Sequence, residues 1–223
     1  MCFSAPASFV GSVALLSASA YILRTSRPLS LPTVVSAAIP LMFSMQQAIE
    51  GVIWVALNNG NQGLANTLGL VYIFFAYFVW PAFTPFFGLA NEPLGVRRNI
   101  LHIVSILGVV FGLFLYFPII MNYTPIQPVI QGHSILYIHK NYYSAIPFTM
   151  DFAFYLAICP LSLLISSHKC IRELGFTVVL AFIVSYVLFY YSLTSVWCFF
   201  SAIISLSVII IEKQLKQWRR IAA

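Results

Sequence analysis

Residues 174–211 read LGFTVVLAFIVSYVLFYYSLTSVWCFFSAIISLSVIII, 38 positions without a charged side chain. One helix of that length would extend about 57 Å at ~1.5 Å per residue. That is nearly twice the ~30 Å of hydrocarbon in a bilayer. Two crossings with a tight turn near Tyr191–Ser195 fit better. The flanks agree. Lys169 and Arg172 precede the stretch, and Lys213, Lys216, Arg219 and Arg220 follow it. An even number of crossings puts both basic segments on one side.

The same reading extends outward along the chain. Ten of the eleven Lys and Arg residues fall into four clusters: Arg24/Arg27, Arg97/Arg98, Lys169/Arg172 and Lys213/Lys216/Arg219/Arg220. Only Lys140 stands apart. Two apolar stretches separate each cluster from the next, and short loops rich in Lys and Arg stay cytoplasmic. The expected spans are roughly 6–23, 33–57, 64–89, 99–118 and 148–165, followed by the two within 174–211. The expectation is an all-α polytopic membrane protein, a bundle of seven transmembrane helices with its N-terminus out and its C-terminus in. It is a single domain over residues 1–223, with an outer loop at 119–147 and a basic cytoplasmic tail at 212–223.

Composition agrees. Hydrophobic residues make up 61% of the chain and charged residues 7%, against about 25% charged in a soluble domain. No separate soluble domain is expected. The net charge of +6 is spread over four loops, so a nucleic-acid partner is not indicated. The partners implied are the lipid bilayer and, at the basic tail, anionic lipid head groups. No basic segment precedes the first apolar run, so no cleavable signal peptide is expected and the first span inserts N-terminus outward.

The segment 119–147 follows Pro118 and contains Pro125, Pro128, Pro147, four Tyr, His133 and His139. It is too polar and too interrupted by proline to cross a bilayer. Loops of this length are usually functional or mobile. A cap partly embedded at the interface is the alternative, because Tyr favours that depth.

Two carboxylates fall inside expected spans, Glu50 and Asp151. An acid at mid-bilayer costs about 2.5–3.5 kcal/mol and is a functional candidate by default. Both are expected in the outer half, where packing could bring them to one cavity. Glu92, Glu173 and Glu212 are assigned to cytoplasmic loops. Gln46, Glu50 and Trp54 are spaced i, i+4, i+8 and share a face, and Gln47 neighbours Glu50 at i, i+3. This polar stripe reads either as a ligand or proton site or as interhelical hydrogen bonding. Gly51 permits close helix approach.

Cys2 and Cys198 are both expected near the outer surface. Three readings compete: a disulfide, a soft-metal site with His133 or His139, and ordinary buried thiols. His133 and His139 read either as acid/base groups over the cavity or as exposed loop residues. His102 reads as a packing residue and His168 as solvated. The seventh span has no Schiff-base lysine, which excludes a retinal protein. Spans six and seven hold no histidine, which excludes zinc hydrolases that place a His-x-x-x-His pair there. There is no G-x-S-x-G, H-E-x-x-H or phosphate loop. The cofactor, if any, is unknown.

The opening Met1-Cys2-Phe3-Ser4-Ala5 with Ala7-Ser8-Phe9 resembles a family of uncharacterised bacterial integral membrane proteins. The segment from Pro40 through Gln46-Gln47-Ala48-Ile49-Glu50-Gly51 to Trp54 resembles that family's second span. Ser195-Val196-Trp197-Cys198-Phe199-Phe200 is similar as well, and Trp80-Pro81 with Pro85 more weakly. The resemblance implies a bacterial inner (plasma) membrane protein of about seven helices and implies no activity.

Three functions fit these residues. The first is a polar cavity in the outer half that binds a small molecule, lipid or ion for transport or sensing. The second is an intramembrane enzyme acting on a lipid or quinone-like substrate, with Glu50 and Asp151 as acid and base. The third is a structural subunit that uses Glu50 as glue.

Overall fold

A helix must satisfy its first N–H groups before it enters apolar surroundings, and the chain supplies caps at three successive starts. Helix α1 (Ala5–Thr25) follows Ser4, whose Oγ accepts from Ala7 N at 3.4 Å. Helix α2 (Leu31–Asn58) follows Ser30, whose Oγ accepts from Thr33 N at 3.4 Å. Both carry proline in the first turn, where a missing N–H costs little. Helix α3 (Gln62–Phe74) follows Asn61, whose Oδ1 accepts from Leu64 N at 3.0 Å. The structure is a computed structural model that describes residues 4–121, 126–138 and 148–222, the side chains of 148–152 and 222 excepted.

Helix α3 continues through a π-helical segment (Phe75–Val79) into α4 (Trp80–Asn91). The wide turn lies directly before Pro81, which has no N–H for a regular ladder. Tyr155 OH donates to the Ala76 carbonyl within it. Helix α5 (Val96–Met121) lies tightly against this region. A Cβ on Gly108 would stand 2.1 Å from the Pro81 carbonyl oxygen, so only glycine permits the approach. Gly51 plays the expected part between α1 and α2: its Cβ would meet the Phe9 ring at 2.7 Å.

The rest of the bundle is α6 (Phe148–Ile158), α7 (Pro160–Leu163), α8 (Lys169–Leu188), a 3-10 turn (Tyr190–Ser192), α9 (Leu193–Ser205) and α10 (Val208–Ala222). Among the described residues, five helices are long and apolar enough to cross a membrane: α1, α2, Gln62–Asn91, α5 and α8. Tyr190–Ser205 with Val208–Ile221 makes a sixth if the pair, bent by 45°, is one span. The stretch Ala153–Leu163 is a shorter apolar helix. The break in 174–211 falls at the 3-10 turn, close to where length placed it. The far end of that stretch differs from expectation. The chain bends at Leu206–Ser207, and the segment expected as a tail from 212 is part of a helix with Val208, Ile211, Glu212 and Leu215 buried.

Two further expectations change. The helix before the 119–147 loop reaches Met121, and the loop, within an otherwise all-helical fold, carries a β-hairpin. Strand β1 (Gln127–Gln131) pairs antiparallel with β2 (Ser134–Ile138), Gln127 opposite Ile138 and Gln131 opposite Ser134. Gly132, at φ 60°, makes the tight turn with His133. Ile126, Ile135 and Tyr137 are buried, so the hairpin is a packed cap. Its β-branched and aromatic residues suit a pleated surface with one face covered.

The two ends of the bundle differ in kind. At one end the basic clusters converge: Arg97 and Arg172 both donate to the Ser166 carbonyl, at 3.3 and 2.9 Å. Lys216 donates to the Thr25 carbonyl at 3.0 Å, and Arg219 to Asn91 Oδ1 at 3.2 Å. At the other end Gln62 Nε2 donates to the Pro128 carbonyl at 3.1 Å, and Ser134 to Ser192 at 2.7 Å, which fasten the hairpin to α3 and to the turn before α9.

Candidate functional site

The polar face of α2 points into the bundle. Gln46, Gln47 and Glu50 are fully buried and Trp54 is 5% exposed. Helix α9 and the hairpin bring the partners. Glu50 Oε1 accepts from Ser195 Oγ at 2.7 Å and from Tyr137 OH at 3.5 Å, and Oε2 accepts from Gln47 Nε2 at 3.4 Å. Gln46 Oε1 accepts from Trp80 Nε1 at 2.9 Å. Tyr72, fully buried, stacks on Tyr137 with ring centroids 4.6 Å apart. The Cys198 thiol lies beside Gln46 and Tyr72. Elements α2, β2 and α9 thus meet at one carboxyl group, and α3 and α4 add Tyr72 and Trp80 to the surrounding cluster.

Several polar atoms of the cluster remain without a hydrogen-bond partner: Gln46 Nε2, Gln47 Oε1 and Trp54 Nε1. A buried polar atom in that state costs about 1–3 kcal/mol, so these atoms are suited to pair with a water or a ligand.

Beneath the cluster lies an apolar cavity of about 70 Å3, between α2, α4, α7, α8 and α9. Phe43, Phe83, Phe87, Leu163, Leu174 and Val178 form its apolar wall, with Thr84, Tyr155, Ser201 and Ser205 as polar groups. Phe43 and Trp80 stack with centroids 3.8 Å apart. Trp80 and Cys198 belong both to the cavity wall and to the polar cluster. Glu50 is not among the lining residues. The cavity is therefore apolar, where a polar one was expected, and Glu50 stands behind its polar end.

The remaining candidates separate from this centre. His133 is exposed at the hairpin turn, and His102 is exposed on α5. Asp151 lies in α6, and its side chain is outside the described residues, as are Cys2, His139 and Lys140. Cys198 is buried, and Cys2, with which it was expected to share the outer surface, lies outside the described residues. Among the described residues, no group of three or more His, Cys, Asp or Glu side chains could hold a metal ion.

Sequence reasoning missed a second buried network at the basic end. Glu212 is 1% exposed and pairs with Arg219, and Thr33 Oγ1 donates to its Oε1 at 2.8 Å. Glu92, 2% exposed, accepts from Ser166 Oγ at 2.8 Å and Ser167 N at 2.9 Å. His168, expected to be solvated, is 8% exposed; its Nε2 contacts the Asn91 carbonyl at 3.0 Å and its ring meets Trp218 edge-on. These residues lie near basic loops, as read, but tertiary packing closes over them. The i, i+7 spacing of Glu212 and Arg219 was the available signal, since it places both on one face. Ser195 and Tyr137 had no comparable signal.

Among the described residues, five helices, or six with the bent pair, could cross a membrane, which is consistent with an integral, multi-pass membrane protein. The model of a family of unknown function, DUF6629, matches residues 1–222. The chain belongs to that family. No curated protein and no solved structure matches it.

Proposed function

We propose that this is a bacterial inner-membrane protein of seven crossings that binds a small, mostly apolar molecule with one hydrogen-bonding group. The N-terminus lies outside and the C-terminus in the cytoplasm. Convergence of the basic clusters at one end supports that orientation. The bent α9–α10 pair and the short Ala153–Leu163 helix serve as the additional crossings. The hairpin then faces outward and covers Glu50.

The observation that carries the binding reading is the junction at Trp80 and Cys198. There the apolar cavity abuts the polar cluster, although Gln46, Gln47, Glu50 and Trp54 themselves do not line it. The hydroxyl groups of Thr84, Tyr155, Ser201 and Ser205 face the space where a ligand hydroxyl or carbonyl oxygen would sit, and Phe43, Phe83 and Phe87 receive the apolar body. The space corresponds to roughly five water molecules. It suits a small ring or part of one lipid chain, and is too small for a phospholipid. Such binding would be the recognition step of sensing or transport.

The test is thermal unfolding of detergent-purified protein with medium-chain alcohols, phenols and benzoquinones. A ligand should raise the wild-type midpoint by mass action. Ser201→Phe, which fills the cavity, should abolish the rise. Thr84→Val should weaken an alcohol about tenfold while leaving the matching alkane unchanged, as loss of one hydrogen bond predicts. No shift with any compound, or equal shifts in Ser201→Phe, would sink the reading.

A second reading rests on Ser195 and Tyr137. Both donate to Glu50 Oε1, so the carboxyl group ties α9 and the hairpin to α2. In that case Glu50 is a structural clamp and the cavity a packing defect.

A further inference from the structure

Helix α10 presents two faces. Ile211, Glu212 and Leu215 are buried against the bundle, while Lys213, Gln217, Arg220 and Ile221 are exposed. Lys213, Lys216 and Arg220 recur at i, i+3, i+7 and form one stripe. That stripe runs along the end of α1. Lys213 Nζ stands 5.3 Å from the centre of the Tyr21 ring, and Lys216 Nζ donates to the Thr25 carbonyl at 3.0 Å. Arg24 and Arg27, exposed on the α1 side, extend the same positive edge.

No acid on α10 offsets this edge from the surface. Glu212 is buried and occupied by Arg219, the one Arg of the helix that turns inward. Apolar groups flank the cations: Trp218 is 41% exposed, Ile221 79% and Leu31 64%. Cations beside exposed Trp and aliphatic side chains, on an amphipathic helix, are what a negatively charged lipid interface requires. Water alone would not favour exposing Ile221 and Leu31 there.

We propose that α10 and the end of α1 bind the headgroups of anionic phospholipids, with Lys213, Lys216, Arg220 and Arg24 contacting the phosphates. Trp218 and Ile221 insert at acyl-chain depth. The 45° bend after α9 tilts the end of this crossing toward the interface, where its cations reach the headgroups. The inference is independent of the cavity, and either can fail alone.

The test uses full-length protein in phosphatidylcholine nanodiscs carrying a minor fraction of lipid brominated near the headgroup. Trp218 fluorescence is taken as the difference from Trp218→Phe. Brominated phosphatidylglycerol should quench it at least about twofold more than brominated phosphatidylcholine, since each cation near the surface contributes about 1 kcal/mol. The triple substitution Lys213→Gln, Lys216→Gln and Arg220→Gln should bring the two lipids to parity. Should that variant fail to fold, wild-type protein at about 1 M salt, where the Debye length is ~3 Å, should lose most of its preference. Excess inorganic phosphate at constant ionic strength should leave the preference intact. Equal quenching by both lipids, a preference that survives high salt, or one abolished by free phosphate would each overturn the assignment.

Discussion

Two buried carboxyl groups, one at each end of the bundle, are held in different ways. Glu212 pairs with Arg219, a cation seven residues along the same helix, and with Thr33. Glu50 accepts from a serine, a tyrosine and a glutamine, each on a different part of the chain and each neutral. The first arrangement answers charge with charge and locks α10 to α2. The second gathers hydroxyl and amide groups around an acid beside a cavity and leaves amide atoms over. The difference separates a fastening from a place where another molecule can be met.

The broadest way to break the comparison is to show that the ends do not lie on opposite sides of a membrane. Reporter fusions after Asn61 and within 127–138 should report the outside. Fusions after Arg27, Arg98 and Lys169, and at the C-terminus, should report the cytoplasm. The expected signal is all-or-none. A cytoplasmic signal from the hairpin would reverse the reading of both ends.

The next largest effect belongs to the lock. Arg219→Leu strands Glu212 in an apolar setting and should destabilise the protein by about 3 kcal/mol. That is the lower end for a broken buried pair, because the Arg219 side chain retains 26% of its exposure. Replacing both partners, Arg219→Leu with Glu212→Leu, should recover much of the loss. Thermal unfolding in detergent measures both. A single substitution no worse than the double one would show that the pair is not the fastening.

At the hairpin end the effects should be smaller and graded by distance. Ser195→Ala removes the 2.7 Å bond to Glu50 and should cost about 1–3 kcal/mol. Tyr137→Phe removes only the 3.5 Å contact and should cost less than about 1 kcal/mol, because a bond of that length is weak. Reversal of that order would argue that Tyr137 is the principal partner.

Glu50→Gln sharpens the contrast most finely. The amide keeps the shape and can still accept from Ser195, so stability should change by about 1 kcal/mol or less. Under the binding reading, the ligand-induced shift in midpoint should fall while the fold remains. An unchanged shift would leave Glu50 as a clamp and confine recognition to the groups that line the cavity.

Much of this was legible in one dimension. The charge clusters and the length of 174–211 located the helices, and the spacing of Gln46, Gln47, Glu50 and Trp54 marked the face that turns inward. Gly51 announced the tight contact of α1 with α2. Other features were opaque for physical reasons. Hairpin formation within 119–147 depends on a covered face that α2, α3 and α9 provide, and a local pattern cannot report that cover. Glu92 and His168 carry the same local signals as solvated loop residues, and only the meeting of α4 with the 164–168 turn buries them.

Apolar length and charge periodicity act locally, so the sequence by itself determined a membrane bundle with its basic segments at a common end. The tertiary structure alone decided that Ser195 and Tyr137 are the groups that meet Glu50. It also decided that the space beneath Trp80 and Cys198 stays open and that Arg219 turns inward while Lys213 and Arg220 do not. Those outcomes depend on contacts between residues up to 179 positions apart, as for Thr33 and Glu212. They follow from which polar groups must find partners once water is excluded.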